Sequence, residues 1–171
     1  MKKIPLTQGM FALVDDEDYE YLIQWKWQSD GRYAFRRVMV SSETYLVRMH
    51  NIIAGFIPRD NIVVDHINGN SLDNRKLNIR LCTKQQNLMN KRKYKNNITG
   101  FKGVRKEERK HKDGSTYICF RARFIKNKKE YTSSTYFTLE EAARAYDEMA
   151  KEYFGEFACL NFPCGNTNSR A

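Results

Sequence analysis

The chain has 171 residues and carries 30 lysines and arginines against 20 aspartates and glutamates, a formal net charge of +10 at pH 7. That length allows one medium domain or two small ones, and no apolar run approaches the roughly 20 residues a bilayer-spanning helix needs, which argues against a membrane protein. The basic surplus is uneven, with 8 basic and 8 acidic side chains in residues 1–64, 8 and 2 in 65–97, and 14 and 10 in 98–171, and it fits a polyanionic partner gripped by the middle and end of the chain, whether DNA, RNA or an anionic membrane surface.

After Met1-Lys2-Lys3 the sequence soon turns polar, unlike a secretory leader. Cys82, Cys119, Cys159 and Cys164 are scattered without a Cys-x-x-Cys pair. Four free thiols of a cytoplasmic chain, and no structural zinc, are therefore expected. Ile4 to Val14 reads as a strand region with a turn at Gly9. Asp15-Asp16-Glu17-Asp18 then supplies an N-cap and first-turn acids for a helix, with Leu22, Ile23 and Trp25 as its buried edge. Trp25 and Trp27, then Tyr33 and Phe35, alternate with polar residues around Ser29-Asp30-Gly31, which is a hairpin pattern. Tyr45-Leu46-Val47 predicts another strand, leading to a short helix through Met49, Ile52 and Ile53. His50 on that helix is expected to be a partly buried histidine that hydrogen-bonds to the following segment, outside the catalytic set. His111, flanked by lysines, is given no chemistry.

The segment 62–90 concentrates the reactive residues. Ile62-Val63-Val64 delivers Asp65 and His66 into a loop marked by Asn68-Gly69-Asn70 and Asp73-Asn74. Asn78-Ile79-Arg80-Leu81-Cys82 reads as a second strand, and Thr83-Lys84-Gln85-Gln86 as the capping box of a helix. Strand, loop, strand and helix would bring Asn87 across from Asp65 and His66. Cutting a phosphodiester needs a water made nucleophilic near neutral pH. A histidine, with an ordinary pKa of about 6.5, is largely neutral there and accepts the proton. Asp65 and Asn87 offer hard oxygen donors, which suit magnesium better than zinc. His66 is therefore assigned as general base, Asp65 and Asn87 as metal ligands, and Asn78 as a structural residue tying the loop to the hairpin. Strand neighbours point to opposite faces, so Asp65 and His66 can share a site only if the strand ends or distorts there. Asn68, Asn70, Asp73 and Asn74 are read as turn formers.

Asp65-His66, Asn78 and Asn87, with the strings DHINGN, DNR and NIR around them, resemble the HNH nuclease motif, the ββα-metal finger of phage and intron homing endonucleases. The resemblance implies the same residue roles, one divalent ion (magnesium, with manganese as the alternative) and double-stranded DNA as substrate.

Residues 91–97 form a basic, asparagine-rich linker whose Lys91, Arg92 and Lys93 are expected to touch phosphates. A second unit follows. Gly100-Phe101-Lys102-Gly103-Val104-Arg105 starts a strand. Tyr117 to Ile125 alternates, with Phe120, Ala122 and Phe124 on one face and Arg121 and Arg123 on the other, and Tyr131 to Phe137 makes a third strand. Thr138-Leu139-Glu140-Glu141 is a capping box for a helix stopped by Gly155, which packs Leu139, Ala142, Ala143, Tyr146, Met149, Ala150 and Tyr153 on the sheet. Residues 98–137 hold 11 basic and 4 acidic side chains, and 138–171 hold 3 and 6, so the basic surplus lies on the sheet side. FKGV, FRARF, EEAARAYD and FGEFACLNFP resemble the APETALA2-type DNA-binding domain. That resemblance implies DNA contacts at Lys102, Arg105, Arg121 and Arg123. Glu107 and Ser133-Ser134 depart from the family pattern, so its base preference does not carry over.

The expected fold is α+β: an HNH nuclease domain at 1–90 with its ββα-metal core at 62–90, a linker at 91–97, a three-stranded antiparallel sheet packed on one helix at 98–163, and a tail at 164–171. The expected function is a metal-dependent DNA endonuclease of homing type with a separate anchoring domain. Its DNA-binding set is Arg75, Arg80, Lys91, Arg92, Lys93, Lys102, Arg105, Arg121 and Arg123. It is expected to be a monomer or homodimer in the cytoplasm of a bacterial or phage-infected cell, with no membrane contact and no small-molecule cofactor. The alternatives are a non-cleaving DNA-binding regulator on the same fold and an RNA-directed nuclease.

Overall fold

A computed structural model describes residues 1–58 and 61–163 of the chain; Cys164 and the tail expected at 164–171 lie outside the described residues. Contacts divide the chain into two units, Met1–Leu88 and a second beginning at Met89.

In the first unit β1 (Lys2–Pro5) pairs antiparallel with β2 (Phe11–Val14) across a 3-10 turn at Thr7–Gly9. The alternation of β2 turns Ala12 and Val14 inward, where they join Ile4, Leu22, Trp27 and Met49 in one apolar cluster. The acidic run starts α1 (Asp16–Leu22) as expected, but Asp15 at the N-cap makes no side-chain capping bond. Its Oδ2 instead accepts from the Lys76 backbone N–H at 2.8 Å, and Lys76 Nζ pairs with Glu17 at 2.6 Å and Asp18 at 3.4 Å. The acids thus fasten the helix to the loop that precedes Asn78.

The expected hairpin around Ser29-Asp30-Gly31 is present, but its first strand, β3 (Gln28–Ser29), has only two residues. Its partner β4 (Ala34–Val40) continues into a longer ribbon with β5 (Glu43–Arg48). Ser41 and Ser42 turn that ribbon with φ of 47° and 70°. The left-handed region usually calls for Gly or Asn, so no turn signal marks this hairpin in the sequence. The chain then enters α2 (Met49–Ile53).

β6 (Ile62–His66) pairs antiparallel with β7 (Ile79–Thr83), Asp65 opposite Arg80 and His66 opposite Ile79. Asn78, read as strand, closes a 3-10 turn at Lys76–Asn78 instead. α3 (Lys84–Asn90) follows directly. Its capping box is realised in both directions: Thr83 N–H donates to Gln86 Oε1 at 2.8 Å, and Gln86 N–H to Thr83 Oγ1 at 3.1 Å. That start sets the position of Asn87, one turn in.

The second unit has β8 (Val104–Lys110), β9 (Thr116–Lys126) and β10 (Lys129–Thr132) in the antiparallel order β10-β9-β8, then α4 (Leu139–Phe154). The third strand is shorter than expected; beyond Thr132 the chain keeps to β9 through the Ser133 N–H, which donates to the Ala122 carbonyl at 3.0 Å, and a bridge between Phe120 and Tyr136. Ala122 and Phe124 of β9 cluster with Tyr146, Ala150 and Phe154 of α4. The alternation is not strict, because Cys119 is also fully buried. Tyr146 lies against Gly103, whose φ is +69° and where a Cβ would come 2.1 Å from the ring, so only glycine fits. The α4 capping box is present at Thr138 and Glu141. No helix among the described residues is long and apolar enough to cross a membrane.

Candidate active site

The loop between β6 and β7 is built around Asn78. Its Nδ2 donates to the Asp73 carbonyl at 2.7 Å and its Oδ1 accepts from the Asn68 N–H at 2.9 Å, which joins two parts of the loop. Asn68 and Asn70 behave as turn formers, accepting from the backbone N–H two residues on. Asp73 and Asn74 do more. Both are buried, and Asp73 accepts a two-pronged bond from Arg75, Nε and Nη2 each at 2.7 Å. Asn74 Oδ1, an acceptor only, lies 3.3 Å from His66 Nε2. The turn reading missed Asn74, because clusters of Asn and Asp in a loop are normally solvated and nothing in the string distinguishes the buried one.

β6 reaches its last residue at His66. The strand therefore ends where a shared site needs it to, yet the two neighbours face different partners. Asp65 accepts on Oδ2 from Arg80 Nε at 3.1 Å and Nη2 at 3.0 Å. His66 meets Asn74 and two aromatic rings, Tyr33 at 6.2 Å and His50 at 5.1 Å between centroids, the latter edge to face. Burial pushes the His66 pKa down, opposed by the Asn74 bond and by the charges of Asp65 and Asp73. Burial thus favours the uncharged ring.

His50 is only 3% exposed. The expected hydrogen bond to the hairpin is not what holds it: its Nδ1 has no hydrogen-bond partner among the described residues, and the contact with His66 is ring on ring. Burial first, then the charges nearby, pushes its pKa down to about 3. His50 also lines a recess of about 120 Å³ together with Tyr33, Arg48, Val64 and Asn87. Tyr33 and His50 are thus both shared by the His66 cluster and the Asn87 recess.

Asp65 and Asn87 both neighbour Cys82. The Asn87 backbone N–H bonds to the Cys82 thiol and the Asp65 charge acts on it, while burial pushes its pKa up to about 11. A thiol held protonated is no soft metal ligand. Among the described residues no group of three or more His, Cys, Asp or Glu side chains is placed to hold a metal. A carboxylate and an amide oxygen are the donor types that suit a hard cation that keeps most of its own waters. Such a cation would share the Asp65 carboxylate with Arg80.

The expected DNA contacts divide by their present partners. Arg75 is spent on Asp73 and Arg80 on Asp65. Lys102 Nζ donates to the Met89 carbonyl at 2.6 Å, and burial lowers its pKa. Arg121 holds the Ser133 carbonyl and Thr132 Oγ1, and Arg123 pairs with Glu130 at 3.0 Å. Lys93 Nζ donates to the Gly100 carbonyl at 2.5 Å. Lys91, Arg92 and Arg105 are exposed. Cys82 and Cys119 are free and buried, and Cys159 is free and half-buried.

A family profile described as HNH endonuclease matches residues 49–89, from the residue before His50 to two residues beyond Asn87. A protein described as an uncharacterized HNH endonuclease, from Acanthamoeba polyphaga mimivirus, is 35% identical over 159 residues, covering 90% of this chain and 76% of that protein. No solved structure matches. A buried histidine at the end of a hairpin strand, beside a helix that starts on a capping box, is thus found in a chain that belongs to the HNH endonuclease family and is a nuclease.

Proposed function

We propose that this nuclease is a metal-dependent endonuclease that hydrolyses phosphodiester bonds in duplex DNA. His66 is the general base, Asp65 and Asn87 are the metal ligands, and β6, β7 and α3 form a ββα-metal unit. One observation carries the reading: His66 is buried and fixed by Asn74 at the end of β6, and that burial favours the uncharged ring a proton acceptor needs. Arg80 and Asn78 hold the strand end and the loop in place around it. A divalent ion at Asp65 and Asn87, magnesium or manganese, supplies Lewis-acid stabilisation of charge on the phosphate oxygens. The second unit serves as the DNA anchor, an APETALA2-like sheet that offers Arg105 and the partnered Arg121 and Arg123 to the major groove. The setting is that of a homing-type enzyme acting inside a bacterial or phage-infected cell.

Supercoiled plasmid incubated with the protein, with magnesium and with chelator, tests this. Nicking or linearisation that chelation stops is expected. Absence of cutting at every protein concentration would leave a DNA-binding regulator, and cutting of an RNA duplex in parallel but not of DNA would leave an RNA-directed nuclease. His66→Ala is expected to lower the cutting rate by about 10²–10⁴-fold while DNA binding stays within twofold, because the base acts on the transition state and not on anchoring.

A further inference from the structure

We propose that Asn74 is the positioning residue that sets the tautomer of His66, keeping the ring proton on Nε2 so that Nδ1 is the atom that takes the proton from the attacking water; this rests on the reading of His66 as general base. The amide orientation of Asn74 is decided by its other contact. Nδ2 lies 3.2 Å from the Leu72 carbonyl, which only accepts, so Nδ2 must be the donor and Oδ1 must face His66. An amide oxygen has no proton to give. The imidazole nitrogen 3.3 Å from it must therefore carry the hydrogen, and in a neutral imidazole the second nitrogen then holds the lone pair.

The amide has little freedom to turn. Asn74 is 0% exposed, its backbone N–H donates to the Leu13 carbonyl at 2.8 Å, and the Leu13 N–H donates to the Leu72 carbonyl at 2.8 Å. Leu13 also bridges in parallel to Asp73. The strand β2, remote in sequence, thus clamps the two residues that orient the amide, and the Arg75 grip on Asp73 closes the loop from the other side. A neutral amide does this without adding a negative charge that would favour the imidazolium.

The wild-type chain, labelled with nitrogen-15 in histidine, reports the tautomer directly at about pH 7.5 without metal or DNA. Long-range proton–nitrogen correlations for the His66 ring, assigned by comparison with His66→Gln, are expected to show Nε2–H. An Nδ1–H pattern, or an even mixture, overturns the proposal. Two variants of similar volume give the kinetic check. Asn74→Asp keeps an acceptor at Nε2, whereas Asn74→Leu keeps only shape. Single-turnover cutting at saturating DNA is expected to be at least about 10-fold faster in the Asp variant, with Leu lowered about 10²-fold from wild type, the low end of what a misplaced base loses, and with DNA affinity the same in all three. Equal rates in the two variants, or a faster Leu variant, would mean that Asn74 only fills space. His66→Ala separates this from failure of the parent reading: cutting at the wild-type rate removes the base role and the catalytic half of the proposal, whatever the tautomer.

Discussion

Arg80 sets two guanidinium nitrogens on a single oxygen of Asp65, at 3.1 and 3.0 Å, with only 12% and 5% of the two side chains exposed. Removing one partner of such a pair strands a charge in a poorly solvated place. Arg80→Met is expected to lower stability by about 3 kcal/mol, while Asp65→Asn combined with Arg80→Met recovers most of the loss because no charge is then left behind. Urea midpoints of the single and double variants measure this. A cation seated at Asp65 replaces the missing guanidinium, so magnesium is expected to raise the midpoint of Arg80→Met more than that of wild type. Equal shifts would place the ion elsewhere.

Asn78 is 7% exposed and joins two strands of the same loop through both ends of its amide. Asn78→Ala loses both bonds and leaves the Asp73 carbonyl and the Asn68 N–H to find other partners, a loss of about 2–3 kcal/mol. Asn78→Asp still accepts from Asn68 and is expected to lose about half as much. Thermal unfolding of the two variants distinguishes them, and cutting should fall in the same order, since His66 is held by the same loop.

Stability should depend on pH through the two buried histidines. In each the folded pKa lies below the unfolded value, so above about pH 6.5 both states are deprotonated and stability is at its plateau. As pH falls below 6.5 the unfolded chain takes up protons that the folded chain resists, and stability is lost, for His50 down to about pH 3. Between pH 6.5 and 5 the loss from His50 is about 2 kcal/mol. His50→Phe keeps a ring against His66 and Tyr33 and is expected to flatten that part of the profile, measured as urea midpoints at the two pH values. An unchanged slope would show that His50 is charged in the folded state.

The parts of this fold legible in the sequence are those whose signal is local. The Thr83–Gln86 and Thr138–Glu141 boxes are four-residue patterns, and both form as written. The apolar face of α4 follows from a 3.6-residue period. What escaped is set by partners distant in the chain. The acids at 15–18 look like helix capping but serve Lys76, 59 residues from Glu17. Asn74 looks like a turn former but meets His66 because Leu13 holds it there. Arg80 and Lys102 look like free cations, yet one strand register and one backbone carbonyl engage them. Charge counts locate a basic segment; they do not say which of its cations already have partners.

That distinction decides how the second unit should respond to mutation. Lys102 holds the Met89 carbonyl from a half-buried place beside Tyr146, while Arg105 is exposed on β8, directly across from Arg121. Lys102→Met is therefore expected to weaken the fold and leave the salt dependence of DNA binding unchanged. Arg105→Ala should leave the fold within about 0.5 kcal/mol of wild type and reduce the slope of log K against log salt by about 0.9, one phosphate contact. Arg121 and Arg123 should give smaller changes singly than together, because each must first leave Ser133 or Glu130 to reach a phosphate. Titrations of a duplex at several salt concentrations, set beside urea midpoints for the same variants, resolve the two effects. A full slope change from Lys102→Met would mean that its ammonium exchanges the Met89 carbonyl for a phosphate when DNA arrives.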